Sequence, residues 1–203
     1  ILKLKDKTSK AVQLQYESNP YPRWDCIRVP EQRRGLGHWL CSFSNKFTNL
    51  EITNVKYPKV LVAGTGTGQQ SIGTSLALSG CSVDALDLSK ASLSYAMRKA
   101  NELSIKNINF FQADLFEIDF LKENYDLIQC SGVLHHTSDP LTGLKCLKSK
   151  LKSHGIIQIG LYSRFARFHL NKIRNDITKR SLGNSKQEML NFRKELIERM
   201  NSD

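Results

Sequence analysis

Lys59-Val-Leu-Val-Ala63 runs directly into Gly64-Thr-Gly-Thr-Gly68 and then into Gln69-Gln-Ser71. The apolar, β-branched start predicts a buried strand, and the polar residues after Gly68 predict the first turn of a helix. Glycines at a strand-to-helix turn permit positive φ angles and a close approach of the backbone to a ligand, and the helix start offers unpaired N–H groups. We therefore predict a ligand-binding loop, whose candidate contact residues are Gly64, Thr65, Gly66, Gly68 and Gln69.

Residues 59–162 alternate short apolar runs with helical stretches, as parallel strands joined by crossover helices do. The pattern predicts an α/β fold with a doubly wound, mostly parallel sheet. The predicted strands are Lys59–Ala63, Ser82–Leu86, Ile108–Gln112, Asp126–Ser131 and Ile156–Leu161. The predicted helices are Gln69–Ser79, Lys90–Leu103 and Pro140–Leu151. Gly155 is expected to form the turn before the last strand.

The residues on either side of this domain follow other patterns. Residues 1–58 are rich in proline and aromatic residues and are predicted to form a helical and irregular N-terminal cap. Within the cap we expect helices at about Lys7–Tyr16 and near Glu31–Phe47. Residues 163–203 carry apolar residues at helical spacing, which predicts a helical C-terminal extension or insertion.

The composition is that of an ordinary globular chain, since 40% of the 203 residues are hydrophobic and 24% are charged. No apolar run approaches the ~20 residues that span a bilayer, so no membrane association is expected. Five widely spaced cysteines, without a Cys/His cluster at metal-ligand spacing, indicate reduced thiols, a cytoplasmic location and no metal site. The net charge of +11 lies in the flanks and leaves nucleic acid open as a partner. Because the basic residues are dispersed and lack interleaved aromatics, a solvated lysine-rich surface is favoured.

Acidic residues follow the next two predicted strands. Asp87 comes directly after the predicted strand Ser82–Leu86 and is followed by Leu88. Asp114 comes two residues after the predicted strand Ile108–Gln112. At the carboxyl edge of a parallel sheet, the first carboxylate can accept both hydroxyls of a ribose, and the second suits the amine of an adenine. Taken alone, Asp87 is better explained as a helix cap or loop acid, and Asp114 as a turn residue. Their order after the glycine loop favours an adenosyl cofactor.

The glycine loop, Asp87, Asp114 and the segment Tyr125-Asp-Leu-Ile-Gln-Cys-Ser-Gly-Val-Leu-His-His136 resemble class I S-adenosylmethionine-dependent methyltransferases over residues 59–162. The resemblance implies a Rossmann-like domain that binds S-adenosylmethionine. Its implied contacts are Gly64, Thr65, Gly66 and Gly68 at the methionine and ribose, Asp87 at the ribose, Asp114 and Leu115 at the adenine, and Ser131, Gly132 and the residues up to His135 beside the sulfonium, with Gln69 and Leu88 as further cofactor contacts.

The segment Gln15-Tyr-Glu-Ser-Asn-Pro-Tyr-Pro-Arg-Trp24 also resembles a lead-in of bacterial methyltransferase domains, some of them fused to tetratricopeptide repeats. Arg23 in this segment is a candidate to bind the methionine carboxylate of the cofactor through a bidentate pair. An equally good explanation is that the arginine and aromatic residues anchor the cap to the sheet domain.

His135 and His136 follow the fourth predicted strand. Methyl transfer from a sulfonium is an in-line substitution, in which the protein aligns the acceptor and, where needed, removes a proton. An imidazole titrates near neutral pH, so His135 is the preferred general base. The alternative is that the two histidines shape the pocket or cap a loop.

The leading hypothesis is an enzyme that methylates a small-molecule acceptor. The alternatives are a cofactor-binding module without catalysis and an RNA or protein methyltransferase that uses the basic flanks. An NAD-dependent dehydrogenase would also show a glycine loop and a strand-end acid, but the G-x-G-x-G spacing and Asp114 argue against it.

Methyltransferases of this class usually finish the sheet with an antiparallel pair of strands, and no such pattern follows Leu161. We therefore expect either a truncated fold or a helical insertion at residues 163–203. The strand Ile156–Leu161 would then be an exposed edge, which predicts self-association as a homo-oligomer.

Overall fold

The structure is a computed structural model that describes residues 4–48, 50–163, 165–183 and 185–202. The chain divides into two compact units, residues 1–161 and 162–203. The predicted cap at residues 1–58 thus lies in the same unit as the sheet. The second unit begins at Tyr162, two residues after the last residue of the sheet.

The first unit is built on a sheet of five parallel strands. They are β1 (Lys59–Ala63), β2 (Ser82–Asp87), β3 (Ile108–Gln112), β4 (Tyr125–Ser131) and β5 (Leu151–Gly160). Their order across the sheet is β3-β2-β1-β4-β5. The chain order reverses between β1 and β4, so the carboxyl ends of these two strands border the crevice where α/β proteins bind ligands. The predicted doubly wound parallel sheet is confirmed.

Over its described residues, the first unit has five helices. The helices α1 (Lys7–Ser18) and α2 (Leu36–Cys41) precede β1, and α3 (Gln69–Ala77), α4 (Lys90–Glu102) and α5 (Pro140–Ser149) connect strands. Short 3-10 turns lie at Asn45–Phe47, Glu51–Asn54, Leu115–Glu117 and Leu134–His136. Side chains cap the starts of α1, α4 and α5. Asp6 accepts an N–H in the first turn of α1, Ser89 accepts one in α4, and Asp139 accepts two in α5.

The core lies on both faces of the sheet because successive side chains of a strand point to opposite faces. Leu61 of β1 packs in one buried cluster with Leu147 of α5, and Val60 of β1 packs in another with Leu36 of α2. Full burial of each such side chain stabilises the fold by about 1.5–3 kcal/mol. This two-sided burial fixes the register of the strands and therefore aligns their carboxyl ends.

The predicted helix near Glu31–Phe47 is wrong over most of its length. Arg34 forms an isolated parallel β-bridge with Leu78, directly after α3. Its N–H donates to the carbonyl of Ala77, and its carbonyl accepts the N–H of Ser79. Gly35 is extended and precedes the helix, so only the six residues of α2 are α-helical there, and a 3-10 turn follows at Asn45–Phe47. A tertiary contact has overridden the helical pattern, as it often does when propensity is weak.

The strand β5 begins five residues earlier than predicted. Its register against β4 shifts between Tyr125 and Leu127, and Gly155 lies inside this irregular stretch rather than in a turn before the strand. The polar residues Lys152 and His154 made this stretch resemble a loop. Both side chains are instead bound to Asp126 of β4.

The second unit contains α6 (Phe168–Lys179) and α7 (Lys186–Ser202). The guanidinium of Arg180 donates to Glu195, and Phe192 is buried within this unit. These two helices agree with the helical spacing of apolar residues in this part of the sequence.

The strand β5 pairs with β4, and over the described residues no strand pairs with its other edge. Self-association through this edge stays a prediction. None of the helices in the described ranges is long and apolar enough to cross a membrane.

Asp126 is expected to stabilise the first unit in a pH-dependent way. Its carboxylate is 1% exposed and accepts the N–H of Lys59, the ammonium of Lys152 and Nε2 of His154, at 2.8, 2.9 and 2.8 Å. Burial alone raises the pKa of this carboxyl, but the three donors outweigh it and the pKa lies below the usual value. The stabilisation is therefore present above the unfolded-state pKa near 3.9 and is lost as the pH falls through the lower folded-state pKa.

We expect Asp126→Ala to lower the free energy of unfolding by about 2 kcal/mol at pH 7, because charged hydrogen bonds of this kind contribute about 1.5–3 kcal/mol. Urea unfolding at pH 7 and pH 3 measures the effect, and the gap between variant and wild type should narrow at pH 3. Glu123→Ala, which removes an exposed ion pair with Lys59, is the control and should change little. An unfolding free energy equal to that of the wild type at pH 7 would contradict the prediction.

Candidate functional site

The glycine loop joins β1 to α3 at the carboxyl edge of the sheet. Gly64, Gly66 and Gly68 have φ angles of +75°, +55° and +89°, which L side chains rarely adopt. The N–H groups of Gly64 and Thr65 donate to the carbonyl of Leu86, which fixes the loop to the end of β2. Gly68 begins α3 without a side-chain cap. The predicted strand–loop–helix geometry of this segment is what the structure contains.

Gly66 has a second reason to be glycine. A Cβ on this residue would lie 2.3 Å from the carbonyl oxygen of Tyr21, in the N-terminal segment. The absence of a side chain thus lets the backbone of residues 21–24 pass directly against the loop.

The side chain of Thr65 does not point away from the loop. It is buried and shares a hydrogen bond of 2.7 Å with the hydroxyl of Ser71, which in turn donates to the carbonyl of Gly68. Only the backbone of Thr65 is therefore available to a ligand. Gln69, the first residue of α3, has an exposed side chain.

Asp87 ends β2 and lies beside the apex of the glycine loop. One carboxylate oxygen accepts the N–H of Gly66 at 2.8 Å, and the other accepts the N–H of Ser89 at 2.9 Å. Burial raises the pKa of this carboxyl above its usual value, against the opposing effect of the N–H groups of Ser89, Gly66 and Leu88. A carboxylate oxygen has more than one lone pair, so each keeps capacity to accept a ligand hydroxyl.

Asp114 lies next to Asp87 along the same edge. The backbone joins the two strand ends, since the N–H of Ala113 donates to the carbonyl of Asp87 at 3.1 Å. Asp114 is 5% exposed, and one of its oxygens caps the following 3-10 turn by accepting the N–H of Phe116 at 3.1 Å. The structure thus gives Asp114 the turn role that the sequence left open. Its predicted role at an adenine remains untested.

Leu115 and Leu88 follow these two acids. The side chain of Leu115 packs in the buried cluster that contains Leu147. The carbonyl of Leu88 accepts hydrogen bonds from Nε2 of Gln13 and Nε2 of Gln112, each at 3.0 Å.

The end of β4 closes the other side of the crevice. Gly132 has a φ angle of +75° and donates its N–H to Gly160 at 2.9 Å. The hydroxyl of Ser131 is exposed and lies 3.5 Å from Nε2 of Gln70. A Cβ on Gly64 would collide with the side chain of Val133, so the loops after β1 and β4 are in direct contact.

His135 and His136 lie in the 3-10 turn after β4, and both are partly buried. Their rings pack against each other with centroids 4.2 Å apart and planes tilted by 55°. The histidines therefore stand at the carboxyl edge, as predicted. A catalytic role for His135 remains untested.

The N-terminal lead-in anchors itself to the glycine loop through Trp24 and Thr67. Trp24 is 7% exposed, and its indole N–H lies 3.2 Å from the carbonyl and 3.1 Å from the hydroxyl of Thr67. The N–H and hydroxyl of Thr67 donate to the carbonyls of Tyr21 and Pro22. The anchoring role that the sequence left open for this segment is therefore present. The side chain of Arg23 is exposed beside it, and its pairing with a cofactor carboxylate remains untested.

Two further residues take part in the site although the sequence pattern gives them no role. Thr67, in the glycine loop, is the residue through which the lead-in holds the loop. Glu17, in the lead-in, binds the first N–H groups of α4 through its carboxylate. Both contacts join residues more than 40 positions apart, so the spacing in the sequence does not indicate them.

Residues 60–155 match the family model described as a methyltransferase domain. The match covers 96 of the 203 residues and identifies a methyltransferase domain in this part of the chain. Across the described ranges, no group of three or more His, Cys, Asp or Glu side chains is placed to hold a metal ion.

Two curated proteins illustrate what the chain is similar to. The chain is 28% identical to an uncharacterized protein of Synechococcus sp. over 85% of its own length and 41% of that protein. It is 31% identical to the Ubiquinone biosynthesis O-methyltransferase of Pasteurella multocida, over 52% of its own length and 47% of that enzyme. The chain thus spans less than half the length of these two curated relatives.

A similar solved structure is that of PKMT2 from Rickettsia typhi in complex with AdoHcy. The TM-score is 0.54 at 22% sequence identity, and the match covers 66% of this chain and 27% of that one. At this identity the likeness establishes the shared fold of the methyltransferase domain.

Proposed function

We propose that this chain binds S-adenosylmethionine along the carboxyl edge of its sheet and transfers the methyl group to a small-molecule acceptor. The observation that carries the proposal is the meeting of three strand ends. The N–H of Gly66 donates to the carboxylate of Asp87, and the N–H of Ala113 donates to the carbonyl of Asp87. The glycine loop, Asp87 and Asp114 therefore form one continuous edge, with the Ser131 segment opposite. The match of residues 60–155 to a methyltransferase domain supports the reaction class.

The residues of this edge fit the parts of the cofactor. The positive-φ glycines let the loop turn tightly from β1 into α3, and Asp87 retains acceptor capacity for the two ribose hydroxyls. Asp114 provides a carboxylate for the adenine amine, and the unpaired N–H groups at the start of α3 favour an anionic group such as the methionine carboxylate. The cofactor, when bound, supplies a methyl group on a positively charged sulfur. The protein's part is to hold the acceptor in line with it.

The small-molecule acceptor is supported by a relative. The Pasteurella multocida protein is named for O-methylation in ubiquinone biosynthesis, and it is 31% identical where the two chains align. The basic residues in the flanks would suit an acceptor with negative charge.

Calorimetric titration with S-adenosylmethionine, S-adenosylhomocysteine and NAD tests the cofactor. We expect the first two to bind and NAD to bind more weakly or not at all. Tighter binding of NAD would overturn the proposal. A radiolabelled methyl-transfer screen over small molecules, peptides and RNA then tests the acceptor, and label only in RNA or peptide would favour the alternative substrates. Binding without transfer to any acceptor would indicate a cofactor-binding module.

His135 is the proposed general base, so His135→Gln is expected to slow methyl transfer by about 10²–10⁴-fold while S-adenosylhomocysteine binds within about twofold of the wild-type affinity. The imidazole would take the proton that the acceptor loses as its bond to the methyl group forms. Single-turnover transfer to the best acceptor of the screen measures the rate. His136→Gln is the matched control on the same turn. Equal rates for the His135 variant and the wild type would leave His135 a packing role.

A further inference from the structure

The first turn of α4 is capped from outside its own element. Helix starts leave N–H groups without intrahelical partners, and Ser89 serves only the N–H of Ser92. The two carboxylate oxygens of Glu17, in α1, accept the N–H groups of Lys90 and Ala91 at 2.7 and 3.0 Å. A carboxylate in this position is also favoured by the helix dipole. The partners are more than 70 residues apart in the chain, so this contact depends on α1 being in place.

The same turn carries Asp87. Only Leu88 and Ser89 separate Asp87 from the first residue of α4, and α1 holds this link at a second point, because Nε2 of Gln13 donates to the carbonyl of Leu88 at 3.0 Å. The N–H of Ser89 in turn binds the carboxylate of Asp87 at 2.9 Å. The turn that orients the Asp87 carboxylate is thus bound by α1 at two points, through Gln13 and through Glu17.

We propose that Glu17 is a positioning residue for cofactor binding, which locks the turn after β2 so that Asp87 faces the ribose. The role rests on the proposed function of the Asp87 site. Because binding linkage is reciprocal, the factor by which docked α1 improves cofactor affinity equals the factor by which the cofactor stabilises docked α1. A helix cap without this role would contribute to stability and leave cofactor affinity unchanged.

The test compares three variants by calorimetric titration with S-adenosylhomocysteine. Glu17→Ala removes both acceptors, and we expect its Kd to rise about tenfold. Glu17→Gln retains one acceptor oxygen and should recover part of the loss, with a rise of about threefold. Glu31→Ala removes an exposed carboxylate from the same N-terminal segment and should bind within about twofold of the wild type.

Hydrogen exchange of the full chain separates positioning from plain capping. In the wild type, S-adenosylhomocysteine should slow amide exchange in α1 at residues 7–18, and in Glu17→Ala this slowing should be lost. Glu17→Ala could instead speed amide exchange only at Lys90 and Ala91, with the Kd and the ligand-induced slowing in α1 equal to those of the wild type. That result would show that Glu17 is only a helix cap, and it would overturn the positioning role.

The outcomes distinguish this role from the proposed function. A wild-type chain that binds neither S-adenosylmethionine nor S-adenosylhomocysteine overturns both. A wild type that binds, beside a Glu17→Ala variant of equal affinity, overturns only the role of Glu17. If circular dichroism shows that Glu17→Ala does not fold, Glu17→Gln decides: wild-type affinity there contradicts the role, and a raised Kd supports it.

Discussion

Asp87→Ala should weaken the binding of S-adenosylhomocysteine by at least about 100-fold. The substitution removes the acceptor proposed for the ribose hydroxyls and also frees the N–H groups of Gly66 and Ser89, which the carboxylate now holds. The loss therefore combines a direct contact with the order of the glycine loop. Asp87→Asn keeps one acceptor oxygen and should show a smaller loss. Calorimetric titration of both variants measures it.

The pH dependence of binding gives an independent check on Asp87. Burial raises the pKa of this carboxyl, and protonation reduces its capacity to accept hydrogen bonds from Gly66 and from a ligand. Affinity should accordingly fall on acidification at a pH above the range in which an ordinary aspartate titrates, near 3.9. This fall should be absent in Asp87→Asn.

Asp84→Ala is the matched control for Asp87, because it removes a carboxylate from the same strand. The carboxylate of Asp84 binds Asn109 and the hydroxyl of Tyr125, at 2.9 and 2.7 Å, and it lies on the opposite face of β2. We expect Asp84→Ala to lower stability and leave the Kd within about threefold. A Kd for Asp87→Ala within the same range would show that the ribose assignment is wrong.

The sequence pattern predicted the segments of the site whose conformation depends on residues that are neighbours in the chain. The strand β1, the glycine loop and the start of α3 follow one another without interruption, so their geometry depends on residues that are neighbours in the chain. The positions of Asp87 and Asp114 followed from strand ends, because parallel strands in a twisted sheet bring their carboxyl ends to one edge.

The remaining contacts depend on residues that are distant in the chain. Trp24 meets Thr67 across 43 positions, and Glu17 meets Lys90 across 73. Neither spacing carries a signal of contact, since both require α1 and the proline-rich segment to be docked first. The wrong helix near Glu31–Phe47 has the same cause, because the pairing of Arg34 with the segment after α3 is a tertiary contact.

Trp24 is the residue through which the lead-in should contribute most to stability. It packs in a buried cluster with Ile72 of α3 and Ala100 of α4, and its ring meets that of Tyr95 edge-on at a centroid distance of 5.8 Å. The hydroxyl of Tyr95 donates to the carbonyl of Trp24. Together with the indole N–H on Thr67, these contacts connect α3, α4 and the glycine loop through one side chain.

Trp24→Ala is therefore expected to lower the free energy of unfolding by about 3–5 kcal/mol, the cost of replacing a large buried aromatic side chain by alanine. Trp24→Phe retains most of the buried area but leaves the carbonyl and hydroxyl of Thr67 without the indole donor, so we expect a loss of about 1–3 kcal/mol. Urea unfolding followed by far-ultraviolet circular dichroism measures both. Tyr57→Ala removes an aromatic ring that is 79% exposed and should leave stability nearly unchanged.

The two Trp24 variants also separate packing from control of the loop. A loss of about 1–3 kcal/mol leaves the folded fraction near one in a domain of ordinary stability, so this loss alone should not change the Kd. If Trp24 also holds Thr67 in place for the cofactor, Trp24→Phe should nevertheless weaken the binding of S-adenosylhomocysteine. An unchanged Kd in Trp24→Phe would restrict Trp24 to the core. A Trp24→Ala variant as stable as the wild type would contradict even that, since the buried cluster around Ile72 would then not depend on the ring.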